Sequence, residues 1–162
     1  MTIPIPFGNF TIFRSAIPQS EENVQTWKDQ YGIDRVVCLL EDWETRLVPK
    51  RFNGYSDLFS LYAAKNLKVT RFSIEDYLAP SIDQLSLQVD EIITQAINGE
   101  KILIHCAAGR GRTGLMLAAI AIKHFQIDDL KAINWIRTFI ANAIESNVQQ
   151  ELLKKFAQSI KK

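Results

Sequence analysis

The sequence has 162 residues, 19 Lys and Arg against 18 Asp and Glu, and a formal net charge of +1 at pH 7. That length suits a single domain, residues 1–162, with a substantial core, and the near-balance of charge gives no support to general nucleic-acid or membrane-surface binding. The longest strictly apolar run, Leu115 to Ile122, is far too short to span a bilayer, which excludes stable membrane insertion. The opening Met1-Thr-Ile-Pro-Ile-Pro-Phe-Gly8 lacks the basic and apolar regions of a signal peptide. With only Cys38 and Cys106 as thiols, the expected compartment is the reducing cytoplasm.

In chain order, Thr11 to Arg14 reads as a first short strand. Ser20 to Tyr31 reads as a helix with Ser20 as N-cap and Gly32 just past its end. Arg35 to Leu40 is β-branched and apolar, a buried strand, and the polar stretch Glu41 to Asn53 follows as a loop. Ser56 to Asn66 reads as helix and Leu67 to Ile74 as strand. Ser81-Ile-Asp-Gln84 has capping-box spacing, after which Leu85, Val89, Ile92, Ile93 and Ala96 recur with helical period. Asn98-Gly99 ends that helix. Lys101 to His105 is a strand feeding a glycine-rich turn, and helices follow at Thr113 to Phe125, Asp128 to Ala141 and Glu145 to Ile160. The alternation predicts an α/β fold, with a mostly parallel sheet of four to five strands flanked by helices. Sites in such sheets lie beyond the carboxyl ends of the strands, which is where Cys106 falls.

His105-Cys-Ala-Ala-Gly-Arg-Gly-Arg-Thr-Gly114 carries the chemistry. Gly109 and Gly111 tolerate positive φ and let the amides of Ala107, Ala108, Gly109, Arg110, Gly111 and Arg112 turn inward, next to the free N–H groups that open a helix. Such a nest binds an oxyanion, and its positive field favours a Cys106 thiolate as nucleophile. Arg112 presents a bidentate fork to two phosphoryl oxygens. Thr113 can donate its hydroxyl to the sulfur as it departs, and His105 holds the loop by hydrogen bonds.

The segment resembles the signature loop of the protein tyrosine phosphatase superfamily: His-Cys, five residues, Arg, Ser/Thr, Gly. The resemblance runs from about Phe10 to Phe156 and points to the compact atypical dual-specificity branch, similar to small archaeal-type enzymes. It implies a single phosphatase domain with the cysteine-phosphatase fold, a phosphocysteine mechanism and no cofactor. It also implies a general acid about 30 residues before the cysteine, in a loop ending at proline. Here Ser73-Ile-Glu-Asp-Tyr-Leu-Ala-Pro-Ser81 places Asp76 at that position, with Glu75 as its rival. Val36 to Glu44 resembles the branch's strand and acidic loop, in which Glu41 would hold Arg112 or else be a solvated loop acid. Ala143 to Glu151 resembles the water-positioning segment, with Gln149 at the glutamine position or simply on a helix surface. The family's Arg-Pro-Gly ahead of this segment is replaced by Ile140-Ala-Asn142, where Asn142 can take the left-handed conformation. The lost arginine removes a supporting contact.

The implied substrates are phosphorylated proteins or peptides bearing phosphotyrosine, with phosphoserine and phosphothreonine admitted by a shallow cleft, and a monomeric enzyme. Arg110 adds a second cation to the loop, as in phosphoinositide phosphatases, so a phosphoinositide or RNA 5′-phosphate stays open as the alternative. A catalytically silent phosphate-binding module is the alternative of another class, opposed by the presence together of Cys106, Arg112 and Asp76. Cys38 reads as a buried cysteine, with a resolving thiol as its other reading. His124 reads as a helix-surface residue, and Trp27, Trp43 and Trp135 as packing residues. Two histidines and two cysteines give no cluster that suggests a metal.

Overall fold

The computed structural model describes residues 1–47, 52 and 54–161. Five strands form one sheet in the order β1-β2-β5-β3-β4: β1 (Ile3–Pro6), β2 (Thr11–Ser15), β3 (Arg35–Cys38), β4 (Lys68–Arg71) and β5 (Ile102–His105). All neighbours run parallel except β1, which pairs antiparallel with β2. The expected mostly parallel α/β sheet is therefore present. Its extra strand, β1, carries Pro4 and Pro6, which cannot donate to a ladder and suit only an edge, as here.

Seven helices complete the described chain: α1 (Glu21–Asp29), α2 (Asp42–Thr45), α3 (Leu58–Ala64), α4 (Ile82–Ile97), α5 (Gly111–Phe125), α6 (Asp129–Arg137) and α7 (Asn147–Ile160). The caps explain where several begin. Ser20 accepts from the Asn23 N–H, and Ser81 and Gln84 cap one another reciprocally. The turn α2 falls inside the stretch expected to be a loop; residues 48–51 and 53 of that stretch lie outside the described residues.

Strand alternation divides the molecule. On β2, Phe13 meets the ring of Tyr31, just past the end of α1, so Ile12 and Arg14 face the opposite side. α5 packs against α4, α6 and α7. It is apolar all round from Leu115 to Ile122 and wholly buried there, as a central helix must be. Among the described residues, no helix is long and apolar enough to cross a membrane. The central strand β5, flanked by β2 and β3, thus delivers Cys106 to the carboxyl end of the sheet, directly beneath the N-terminus of α5.

His124 is tied down rather than free on the surface. Its Nε2 lies 2.8 Å from the Phe7 carbonyl and its ring packs on Phe10, anchoring the β1–β2 hairpin to α5. Trp27 is buried, and Trp135 sits among Phe7, Phe125 and Phe139. Trp43 departs from the packing role expected of it, being 59% exposed.

Candidate active site

The loop from Cys106 to Arg110 is braced from the side of β2. The Ile17 N–H donates to the Ala107 carbonyl at 2.8 Å. Gly109 has φ +75°, and a Cβ there would stand 2.7 Å from the Ser15 carbonyl oxygen, so both conformation and space require glycine. Gly111 differs from expectation. It is the first residue of α5, without positive φ, and its missing Cβ makes room for the Glu145 carboxylate, 2.7 Å from where that atom would be.

His105 supports the loop from below and is fully buried. Its Nδ1 lies 3.1 Å from the Cys106 carbonyl and its Nε2 lies 2.7 Å from the Tyr62 hydroxyl. A carbonyl only accepts, so Nδ1 carries the proton and Nε2 accepts from Tyr62. Burial pushes the imidazole pKa from 6.5 down to about 4. His105 is therefore neutral at pH 7, a positioning group and not a base.

Arg112, in the first turn of α5, is 1% exposed. Its Nη1 and Nη2 donate to the two Glu44 carboxylate oxygens at 2.8 and 3.0 Å, and Nη1 also donates to the Ile74 carbonyl at 2.9 Å. Burial works to lower the guanidinium pKa, but Glu44, the Cys106 sulfur and Asp76 together hold it above its ordinary value. On Glu44, burial acts to raise the carboxyl, and the hydrogen bonds from Arg112 and the Glu41 backbone outweigh it and hold it low. Two buried donors in the first turn of α5, Arg112 Nε and the Thr113 hydroxyl, have no hydrogen-bond partner among the described residues. Thr113 thus makes no bond to the Cys106 sulfur here. Such unused donors at the N-terminus of a helix suit an oxyanion.

The carboxylate that pairs with Arg112 is Glu44 and not Glu41. Glu41 is the N-cap of α2, and its carboxylate accepts from the exposed Trp43 indole N–H at 3.0 Å. One helical turn on, Glu44 faces inward and also accepts from the Glu41 backbone N–H at 2.9 Å.

Asp76 lies at the mouth, its side chain 52% exposed and its Oδ1 3.6 Å from Arg112 Nε. Gln149 is fully buried rather than on a helix surface. Its Oε1 accepts from the Glu145 and Ser146 N–H groups at 3.0 and 3.3 Å, and its Nε2 donates to the Leu78 carbonyl at 3.2 Å, joining α7 to the loop that carries Asp76. Just ahead of it, Asn142 has φ 60° as its sequence allows, and Ile144 has φ 61°. Left-handed backbone at a β-branched residue costs roughly 1–3 kcal/mol and persists only where neighbours enforce it.

Residues 17–126 match the model of a family described as Tc-R-P, polymorphic toxin system, DSP-PTPase phosphatase. The chain belongs to that family. The chain is 30% identical over 128 residues to the phosphatidylglycerophosphate phosphatase PTPMT2 of Arabidopsis thaliana, a match covering 78% of the chain and 52% of that relative, so the chain spans about half its length. Among solved structures, Tk-PTP in its active form superimposes with TM-score 0.79 and 26% identity over 96% of each chain. PTPMT1 in complex with PI(5)P shares the fold at TM-score 0.79 and 20% identity, over 98% of this chain and 96% of that one.

Three features of the candidate site are not visible in the sequence. The first is the choice of Glu44 over Glu41. The second is Arg137 of α6, which reaches the Ala143 and Ile144 carbonyls from Nε and Nη2, at 2.9 and 3.2 Å. The third is Arg14 of β2, in register with Ile104 and so on the sheet face of Cys106. Among the described residues its Nε is buried without a partner, and neither Arg14 nor Arg110 pairs with a carboxylate. Burial lowers the Arg14 pKa; the nearby Cys106 sulfur opposes this and Arg110 adds to it. Cys38, the register partner of His105, is a free thiol that burial pushes up to about 12, which makes it a poor partner for thiol exchange at neutral pH.

Proposed function

We propose that this chain hydrolyses phosphate monoesters on proteins, phosphotyrosine first and phosphoserine or phosphothreonine as well, through a phosphocysteine at Cys106. One constellation carries the reading: a cysteine at the end of β5 beneath an amide nest, an arginine buried and held in a fork by Glu44, and Asp76 beside that arginine. The nest and Arg112 take the dianion. The Cys106 thiolate attacks phosphorus, the S–P bond forms as the ester P–O bond breaks, and Asp76 gives its proton to the leaving oxygen. Water then attacks the phosphocysteine and returns a proton to Asp76, and phosphate leaves as the thiolate is restored. In this reading Gln149 orients that water. The reading places the enzyme in the reducing cytoplasm as a monomer.

Turnover of an aryl phosphate in the presence of EDTA tests the mechanism. Tight phosphate-ligand binding without turnover would instead make the chain a binding module. Asp76→Asn is expected to slow the enzyme most on esters with poor leaving groups and to flatten the basic limb of the pH–rate profile. Should Glu75→Gln do this while Asp76→Asn does not, the acid is Glu75.

A second reading, a phosphoinositide or other polyanionic phosphate ester as substrate, is favoured by the two guanidiniums of Arg14 and Arg110, which lack carboxylate partners among the described residues beside the loop. The names of the similar PTPMT2 and of the PI(5)P complex of PTPMT1 agree with it. A side-by-side assay of phosphotyrosine peptide, phosphothreonine peptide, phosphoinositide and 5′-phosphorylated RNA decides between them. Arg110→Ala should lower phosphopeptide turnover by at most about a few-fold, the worth of one solvated ion pair. A loss of about ten-fold or more on phosphoinositide, with the wild type preferring that substrate, would make the second reading the function.

A further inference from the structure

We infer that Arg137 is a positioning residue for the reaction proposed above, holding the strained turn at Asn142–Ile144 on which Gln149 and the acid loop depend. The inference rests on that reaction. The segment Ile140-Ala-Asn142 has no arginine of its own. The structure supplies a guanidinium from the last turn of α6 instead. Nε and Nη2 of Arg137 donate to successive carbonyls, Ala143 and Ile144, at 2.9 and 3.2 Å. These carbonyls belong to residues with 0% and 1% exposure, while Arg137 itself is exposed, so its stem packs little and its hydrogen bonds are its main contribution.

From this turn, contacts run to the N-terminus of α5, to Gln149 and, through it, to the acid loop. The Ile144 N–H donates to the Arg110 carbonyl at 3.3 Å, at the N-cap of α5. A Cβ on Gly114 would meet Ala143 and the Ile144 nitrogen at 3.0 Å, so the turn lies directly on the helix that presents Arg112 and Thr113. The next two backbone N–H groups, of Glu145 and Ser146, fix the Gln149 carbonyl oxygen, and the Gln149 amide in turn holds Leu78, two residues beyond Asp76. Left to itself, a turn with both Asn142 and Ile144 at positive φ relaxes toward ordinary backbone. Relaxation would rotate the Glu145 and Ser146 N–H groups off Gln149. The loss then falls on acid delivery and water positioning, whereas the amide nest and Arg112, which are held from β2 and Glu44, still bind phosphate.

The test is Arg137→Ala, with Arg137→Lys beside it. Arg137→Ala is expected to lower kcat for an aryl phosphate by about ten-fold while KM changes by less than about three-fold, since displaced catalytic groups cost rate before binding. The loss should deepen with poorer leaving groups. Arg137→Lys, which keeps one reach to the carbonyls, and millimolar guanidinium chloride added to Arg137→Ala should each restore part of the rate. A lowered melting temperature with kcat and leaving-group dependence unchanged would overturn the inference and leave Arg137 a stabilising residue only. The side-chain amide resonance of Gln149 gives a readout that needs no turnover: it shifts in Arg137→Ala if the turn relaxes, and its staying in place overturns the inference. Absence of turnover in the wild type would instead overturn the proposed reaction.

Discussion

Cys106→Ser is expected to abolish turnover and to keep phosphate-ester binding. Serine is nearly isosteric with cysteine, and at a position only 3% exposed the substitution leaves the surrounding packing in place. The amide nest is held by Gly109 against Ser15 and by the Ile17–Ala107 hydrogen bond, neither of which involves the sulfur. Arg112 keeps its fork on Glu44. What disappears is the nucleophile of the proposed reaction: a hydroxyl is a far weaker acid than a thiol, and the neutral, fully buried His105, bonded to Tyr62 and the residue-106 carbonyl, cannot serve it as base. Loss of a covalent nucleophile lowers kcat by on the order of 10^4 to 10^6. Steady-state assay of an aryl phosphate, paired with calorimetric titration of a phosphopeptide or of inorganic phosphate, checks both halves. Residual turnover near the wild-type rate would mean that no phosphocysteine forms. Loss of binding along with turnover would mean that the sulfur holds the loop together.

The parts of this site that are legible in the sequence are those fixed by local chain geometry. A strand, a cysteine, a five-residue glycine-bearing loop and an arginine opening a helix determine their own shape, because the loop must turn its amides inward within a short span. Ser20 and Ser81 mark helix starts for the same local reason, and Asn142 announces a left-handed residue. What depends on a choice between equivalent neighbours is not legible. Glu41 and Glu44 are both acids in one short segment. Only the turn of α2, which makes Glu41 an N-cap and swings Glu44 inward, decides which of them meets Arg112. Contacts made across the fold by long side chains are also hidden. Arg137 answers a carbonyl pair in the next loop, and Arg14 reaches the site from a neighbouring strand through a register that no single sequence displays. The edge strand β1 escapes a reading of the sequence because Pro4 and Pro6 argue against a strand anywhere except at an unpaired edge.

Arg112→Lys should fail in a different way from Cys106→Ser, losing binding and rate together. The guanidinium makes three hydrogen bonds among the described residues, two to Glu44 and one to Ile74, and there its Nε–H is unused, 3.6 Å from Asp76 Oδ1. One ammonium cannot span Glu44, Ile74 and a phosphoryl group, because its three donors radiate from a single atom. If it stays with Glu44, the substrate loses its fork. If it turns to the substrate, Glu44 is left charged and buried beside the site, where removing one partner of such a pair costs roughly 3–5 kcal/mol. Loss of a preorganised donor to the transition state costs about 10^2 to 10^3 in rate, so kcat/KM should fall by at least that factor, with KM for phosphate esters rising as well. The pair also leaves a mark on stability. The Glu44 carboxyl titrates below its unfolded counterpart, so its contribution is complete above the unfolded pKa of about 4.3 and is lost as pH falls through the lower folded value. Acid unfolding of Arg112→Lys, followed by circular dichroism, should show that pH dependence weakened. Near-normal catalysis by the lysine variant would reduce Arg112 to a structural partner of Glu44 and remove the phosphoryl fork from the mechanism.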